Sequence, residues 1–361
     1  MKNKIFSGFF GGCHCQGIAV DPVKGHIYYS FTTKLIKSDL DGNIIGSVDN
    51  IVGHLGCIDF NDADGRVYGS LEYKLDAIGK GILQKLGSAE RNLKEGFYIA
   101  IFDVDKIDRL DMDAEKDGVM RAVYLKTVLD DYSATVVSGG AERKHAYGCS
   151  GIDGLTIGPD FGAGKDGKRF LHVCYGIYSE LERTDNDHQV ILQYEIDNLW
   201  EGFAKPLNQN DMHTSGPNEP RRRYFVYTGN TVYGVQNMEY DEFTGDYFLC
   251  VYKGKKPQFR NYPMYVIDGS VPGKEGELCG FDSGEKGLLL TLRKTGAEEG
   301  GISGIDFPHG STGLYSFGNG EFYVSEHFVG ESGEQATNVI LYELNESDGR
   351  LCFVKKAADG E

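Results

Sequence analysis

Gln16-Gly17-Ile18-Ala19-Val20-Asp21-Pro22-Val23-Lys24-Gly25-His26-Ile27-Tyr28-Tyr29-Ser30 recurs without a gap as Gly56-Cys57-Ile58-Asp59-Phe60-Asn61-Asp62-Ala63-Asp64-Gly65-Arg66-Val67-Tyr68-Gly69-Ser70. It recurs again, still ungapped, as Gln236-Asn237-Met238-Glu239-Tyr240-Asp241-Glu242-Phe243-Thr244-Gly245-Asp246-Tyr247-Phe248-Leu249-Cys250. A looser copy runs from residues 153–159 into 170–173, and a last one from 312–315 into 320–325. In each copy a short apolar strand is turned back by Asp/Asn and Gly. A second strand then follows, carrying the β-branched and aromatic residues that suit a half-buried pleated surface. Gly25, Gly65 and Gly245 share one repeat position, as a hairpin needing a positive φ demands.

Two more strand-like runs follow each copy. The third strands are read at residues 35–40, 97–102, 190–196, 264–267 and 339–344, and the fourth at 44–48, 121–125, 223–227, 288–292 and 351–354. Five copies of four antiparallel strands predict an all-β fold, a five-bladed β-propeller forming one domain over residues 1–361. A six-bladed alternative would need another blade in residues 103–146 or 198–232, whose composition reads as excursions. Gln16-Gly17-Ile18-Ala19-Val20-Asp21 with Gly25-His26-Ile27-Tyr28 resembles the strand pair of NHL-type and gluconolactonase-like propellers, and the whole chain resembles uncharacterised bacterial five-bladed propellers. That resemblance implies the fold and no activity.

Composition agrees. With 50 Gly, 22 Tyr, 20 Phe and 1 Trp among 361 residues, the chain suits strands and tight turns, not a helical bundle. Lys+Arg 37 against Asp+Glu 54 gives a net charge of −17, which disfavours a nucleic-acid or anionic-membrane partner. No apolar run reaches about 18 residues, so no membrane span is expected. The start, Met1-Lys2-Asn3-Lys4-Ile5-Phe6-Ser7-Gly8, is too short and Gly-broken for a signal-peptide core. Eight scattered cysteines make no disulfide framework, and a reduced, cytoplasmic protein is expected.

In a propeller, the loops leading into first strands and those joining second to third strands share one face, where ligands bind. Those loops are long here, at residues 72–95, 128–151, 175–189, 253–262, 293–311 and 326–337, and one short helix is expected around residues 75–86. His14 and His54 occupy equivalent positions in neighbouring blades, where imidazoles serve as general base, as anion or metal ligands, or simply as strand caps. Glu72, Asp153, Glu239 and Glu326 form the carboxylate set for Ca²⁺ or Mg²⁺ over the channel. Gln16, Arg143, His145, Arg183, Gln236, Lys253, His309 and His327 are the expected ligand-binding set, the basic ones as an anion clamp. Cys13-His14-Cys15 puts its thiols on one strand face and the imidazole on the other, a poor zinc chelate. No Gly-x-Ser-x-Gly elbow or Walker loop occurs, and no organic cofactor is indicated.

Two readings follow. One is a scaffold holding a small polar or anionic small molecule over the channel. The other is a divalent-metal-dependent hydrolase or lyase acting on a phosphorylated or sugar substrate, conceivable because five-bladed nucleotidases and glycosidases share the architecture. The oligomeric state is not encoded in any of these features.

Overall fold

The turn glycines behave as their repeat position requires, with φ of +67° at Gly25, +69° at Gly65 and +80° at Gly245. The computed structural model describes residues 2–11, 13–88, 93–282, 284–296 and 298–357. Around these hairpins the strands assemble into five antiparallel blades that make a β-propeller. Blade 1 is Gly17–Asp21, His26–Ser30, Leu35–Asp39 and Ile44–Asp49. Blade 2 is His54–Asn61, Arg66–Tyr73, Gly96–Phe102 and Met120–Tyr124. Blade 3 is Cys149–Pro159, Arg169–Ile177, His188–Tyr194 and Arg222–Tyr227. Blade 4 begins Val232–Asp241, Asp246–Tyr252 and Met264–Ile267, and blade 5 is built on Leu314–Ser316, Glu321–Val329 and Gln335–Ser347.

First strands are buried along nearly their whole length because each faces its neighbours across the axis, and the apolar core lies between successive blades. Repeated serines stitch the ring. Ser30 Oγ donates to Gly56 O at 2.6 Å, and Ser70 Oγ donates to Asp153 O at 2.6 Å, each reaching the next blade's first strand.

Two features differ from the sequence reading. The first part of the run expected as blade 4's fourth strand, residues 288–292, leaves its blade: Lys286–Leu289 pairs in parallel with Arg222–Tyr227 of blade 3 and antiparallel with Lys274–Glu277. The cause is apolar cover, since Leu290 packs, 7% exposed, into the cluster shared by blades 3 and 4. The end of the run returns to blade 4, Leu292 bridging Ile267 and Asp268 N donating to Thr291 O, and beyond it Arg293 N donates to Val266 O and Ile305 N to Met264 O. The second feature is closure. Lys4–Phe6 pairs antiparallel with Gln335–Ser347, beside the expected last strand Arg350–Lys355, so both chain ends complete blade 5.

Ile5, 2% exposed among blade 1 and blade 5 residues, anchors that closure. Ile5→Ala is expected to cost about 2–5 kcal/mol, read as a lowered urea midpoint with an unchanged slope.

The expected helix is present as α1, Ala77–Lys85, capped by Asp76 accepting from Gly79 N at 2.9 Å. Sequence reading missed α2, Lys126–Ser133, and α3, Asn198–Phe203. These helices and the hairpin Thr135–Ser138/Ala141–Lys144 fill the two segments where a sixth blade had been conceivable. All eight cysteines are free, and no helix among the described residues is long and apolar enough to cross a membrane.

Candidate functional site

The second strand of blade 2 ends Ser70-Leu71-Glu72-Tyr73-Lys74, and alternation sends residues 70, 72 and 74 to one side. All three meet the first strand of blade 3. Beyond the Ser70 bond, Glu72 Oε2 accepts from Ile152 N at 3.1 Å, and Lys74 Nζ donates to Ser150 O at 2.8 Å. Lys74 Nζ also lies 2.5 Å from Glu72 Oε1, an ion pair whose side chains are only 5% and 2% exposed. Gly151 makes this approach possible. Its φ is +122°, and a Cβ there would lie 1.9 Å from Glu72 Oε2.

His54 stands over this pair, Nδ1 lying 3.5 Å from Glu72 Oε1 and 3.6 Å from Asp153 Oδ1. Among the described residues, neither His54 Nδ1 nor Asp153 Oδ1 has a hydrogen-bond partner. Asp153 Oδ2 accepts from Gln236 Nε2 at 3.2 Å, which brings blade 4 into the cluster. Burial pushes the His54 imidazole down to about 3, with Lys74 and His14 adding to the effect. Burial also holds the Asp153 carboxyl well above the usual range, and the neighbouring Glu72 charge raises it further. The cluster therefore holds an imidazole that resists protonation beside a carboxyl that releases its proton less readily than usual.

His14 extends the group. Its ring centroid lies 5.5 Å from that of His327, and burial, with His327 and Lys85, lowers it to about 4. Gln16 lies deeper, its Nε2 donating to Thr32 Oγ1 at 3.1 Å while Asn237 Nδ2 donates to its carbonyl at 2.8 Å. Helix α1 closes one side. The space it leaves against Val52, His54, Glu72 and Lys74 is about 10 Å³, too little for more than one water. The side chains of His54 and Asp153 remain 13% and 12% exposed.

Seven predicted residues lie elsewhere. Glu239 sits near the opposite end of its strand, where Oε1 accepts from Ser316 N at 2.7 Å, in a second mouth shared with Asp59 and Arg169. Five residues on from Gly234, it has already run towards the Asp241–Asp246 turn. Glu326 accepts from Tyr342 and pairs with Lys355 at 3.2 Å, on the side of blade 5 where His309 packs against Phe307. The oxygen-ligand set thus lies in three separate places, and among the described residues no three His, Cys, Asp or Glu are grouped to hold a metal ion.

The anion clamp also disperses. Arg183, 1% exposed, is consumed by Asp185 and by the carbonyls of Lys144 and His145. Lys253 pairs with Asp306 at 3.4 Å on the surface, and Arg143 lies opposite Val136 on the outer hairpin of blade 3. His145 packs on Tyr132 and Tyr178 and touches the axial cluster only through them, since Tyr178 donates to Asp76 Oδ2 at 3.0 Å. Lys74 and Gly151 were missed. The signal for Lys74 was a lysine two residues beyond Glu72 at the end of an apolar strand.

The buried imidazoles give a signed pH dependence. His14, His54, His172 and His188 fold with values of about 4, 3, 3 and 4, below the ordinary 6.5. As pH falls below 6.5 the unfolded chain takes the proton first, so their contribution is complete above that value and is lost towards pH 4. Asp59, raised to about 6 by burial, and Glu239 act in the opposite sense and are relieved on acidification. His188 isolates the effect: neither ring nitrogen has a partner, and its neighbours are Phe225, Tyr227 and Phe281. His188→Phe is expected to leave pH 7 stability nearly unchanged and to recover ~3 kcal/mol at pH 4, measured by urea unfolding at both values.

No protein-family model matches the chain, and no curated protein matches it. Among solved structures, an exo-1,5-α-L-arabinanase from a bovine ruminal metagenomic library is 12% identical, with 95% of this chain and 97% of that chain covered and a TM-score of 0.43. A GH43 β-1,3-galactosidase with galactodeoxynojirimycin is 12% identical, with coverage of 96% and 98% and a TM-score of 0.42. The native arabinanase of Bacillus subtilis is 12% identical, with coverage of 96% and 99% and a TM-score of 0.38. The ring of blades rests on this chain's own strand pairings.

Proposed function

We propose that the protein binds a small, uncharged, hydroxyl-rich ligand of the sugar class at the axial cluster, and that Asp153 and His54 move a proton there. The observation that carries this reading is the pair of partnerless atoms, His54 Nδ1 and Asp153 Oδ1, facing each other at 3.6 Å. Buried polar atoms normally have partners, and a ligand hydroxyl supplies both a donor and an acceptor. A carboxyl whose hold on its proton is strengthened suits a general acid, and a neutral imidazole suits a base or relay. An anionic ligand is less well served, because Lys74 is spent on Glu72 and Ser150, Lys85 stands off beside Cys13 and His14, and Arg143, Arg183 and Lys253 lie away from the axis.

The test is calorimetry of the purified protein against a panel of mono- and disaccharides, their phosphorylated forms and sugar-free polyols, with chromatography of the mixtures for product. Saturable binding of a neutral sugar with product formation is expected. Binding without product would reduce the protein to a receptor, and binding of phosphorylated forms alone would overturn the choice of ligand class.

A further inference from the structure

Two excursions leave their blades and meet on the outer edge of blade 3. One is the hairpin Thr135–Ser138/Ala141–Lys144 with the turn Ala146–Gly148 behind it, and the other is the end of the hairpin that blade 4 lends to blade 3. Between them lies a cavity of about 520 Å³, within the range of small-molecule pockets. Its apolar walls are Val136, Val137, Tyr147 and Phe281, the two rings standing 5.8 Å apart at 53°. Tyr147 is held in place from behind: its ring packs on Phe225 at 5.3 Å, and Arg223 lies 5.1 Å over its face and donates to its hydroxyl.

Apart from the Tyr147 hydroxyl, the polar side chains among the described lining residues are acidic. Asp185 is answered by Arg183 and Ser138, but Asp282 and Glu285 are not in any salt bridge among the described residues. Asp282 accepts only from Gly140 N, at 3.0 Å, and Glu285 accepts from the Tyr147 hydroxyl at 3.3 Å. No lysine or arginine lines the cavity.

We infer that this cavity is a second ligand site and that it takes an organic ammonium ion. Aromatic faces attract a cation through their quadrupoles, and two carboxylates without counter-ions supply the complementary charge. Among the described lining residues a neutral sugar would find hydroxyl acceptors but, as a donor side chain, only the Tyr147 hydroxyl that already serves Glu285, and an anion would be repelled. The site shares no lining residue with the axial cluster, so it stands whether or not the axial reading does.

The probes are choline and butylamine, set against dimethylbutanol, the uncharged carbon isostere of choline, by ligand-detected NMR on the whole protein. Both amines are expected to bind saturably and dimethylbutanol is not. The D282N/E285Q double variant should weaken amine binding roughly tenfold or more, as should Phe281→Ala. Raising the salt concentration should weaken binding in the wild type. Far-UV circular dichroism confirms that each variant is folded, and the conservative amide pair keeps the test valid should Phe281→Ala prove unstable. Equal binding of dimethylbutanol, unchanged amine affinity in the amide variant, or no saturable binding of either amine would each overturn the assignment.

Discussion

Asp153→Asn is expected to abolish product formation while leaving ligand affinity within a few-fold of wild type, a loss of roughly a hundred- to ten-thousand-fold in rate. The amide preserves size and the Gln236 contact at one atom, but it cannot give up a proton at the position of Oδ1. His54→Gln should act similarly on turnover, and the two losses should not add, because the groups serve one proton transfer. The pH profile separates this from a structural defect. Burial, and then the Glu72 charge, push the Asp153 carboxyl up, so turnover should fall as pH rises through its raised value. His54, pushed to about 3, should contribute no limb near 6.5. A wild-type limb at 6.5 that disappears in His54→Gln would show that the imidazole titrates normally, and the proton-transfer assignment would fail.

Lys74→Met should be the most destabilising of the single substitutions considered, at about 3–5 kcal/mol. It leaves Glu72 ionised and buried, with the Ile152 amide as its remaining donor. Burial already raises the Glu72 carboxyl, and Lys74 is what opposes that shift. Removing both partners should recover much of the loss, since the pair's attraction mainly offsets its own desolvation. A double variant, Glu72→Leu with Lys74→Met, in the same urea series would settle the point. If the single change cost under about 1 kcal/mol, the pair would behave as a solvated surface contact and the axial cluster would not be dry.

Periodicity and turn chemistry are local, and they were legible. Ungapped copies with Gly25, Gly65 and Gly245 in register were enough to assign the blades, because each hairpin is specified within fifteen residues of chain. Placing side chains around the axis needs more than a repeat count. Asp153 and Glu239 were both assigned to first strands, yet one faces His54 and the other lies towards the far turn, a difference set by distance along the strand. Arg183 looked like a surface anion ligand because nothing local shows that Asp185 and two carbonyls from another loop would enclose it. Gly151 fell at the end of the expected loop 128–151 with nothing to distinguish it, and its role appears only once Glu72 arrives from the preceding blade. The departure of Lys286–Leu289 to blade 3 was equally hidden, since its partner strand lies some sixty residues upstream.

The pairing of Lys4–Phe6 with the far end of the chain sets an order of events. Synthesis delivers the first of these strands more than 300 residues ahead of its partner around Val339 and Ile340. Blade 1 must therefore wait on the ribosome with Ile18, Val20 and Ile27 lacking their blade 5 neighbours. Closing so long a loop carries a high entropic cost, which makes final docking the slow, late step of folding. A nascent chain stalled before residue 335 would hold an open arc with two unpaired edges, the form most prone to associate with its own copies.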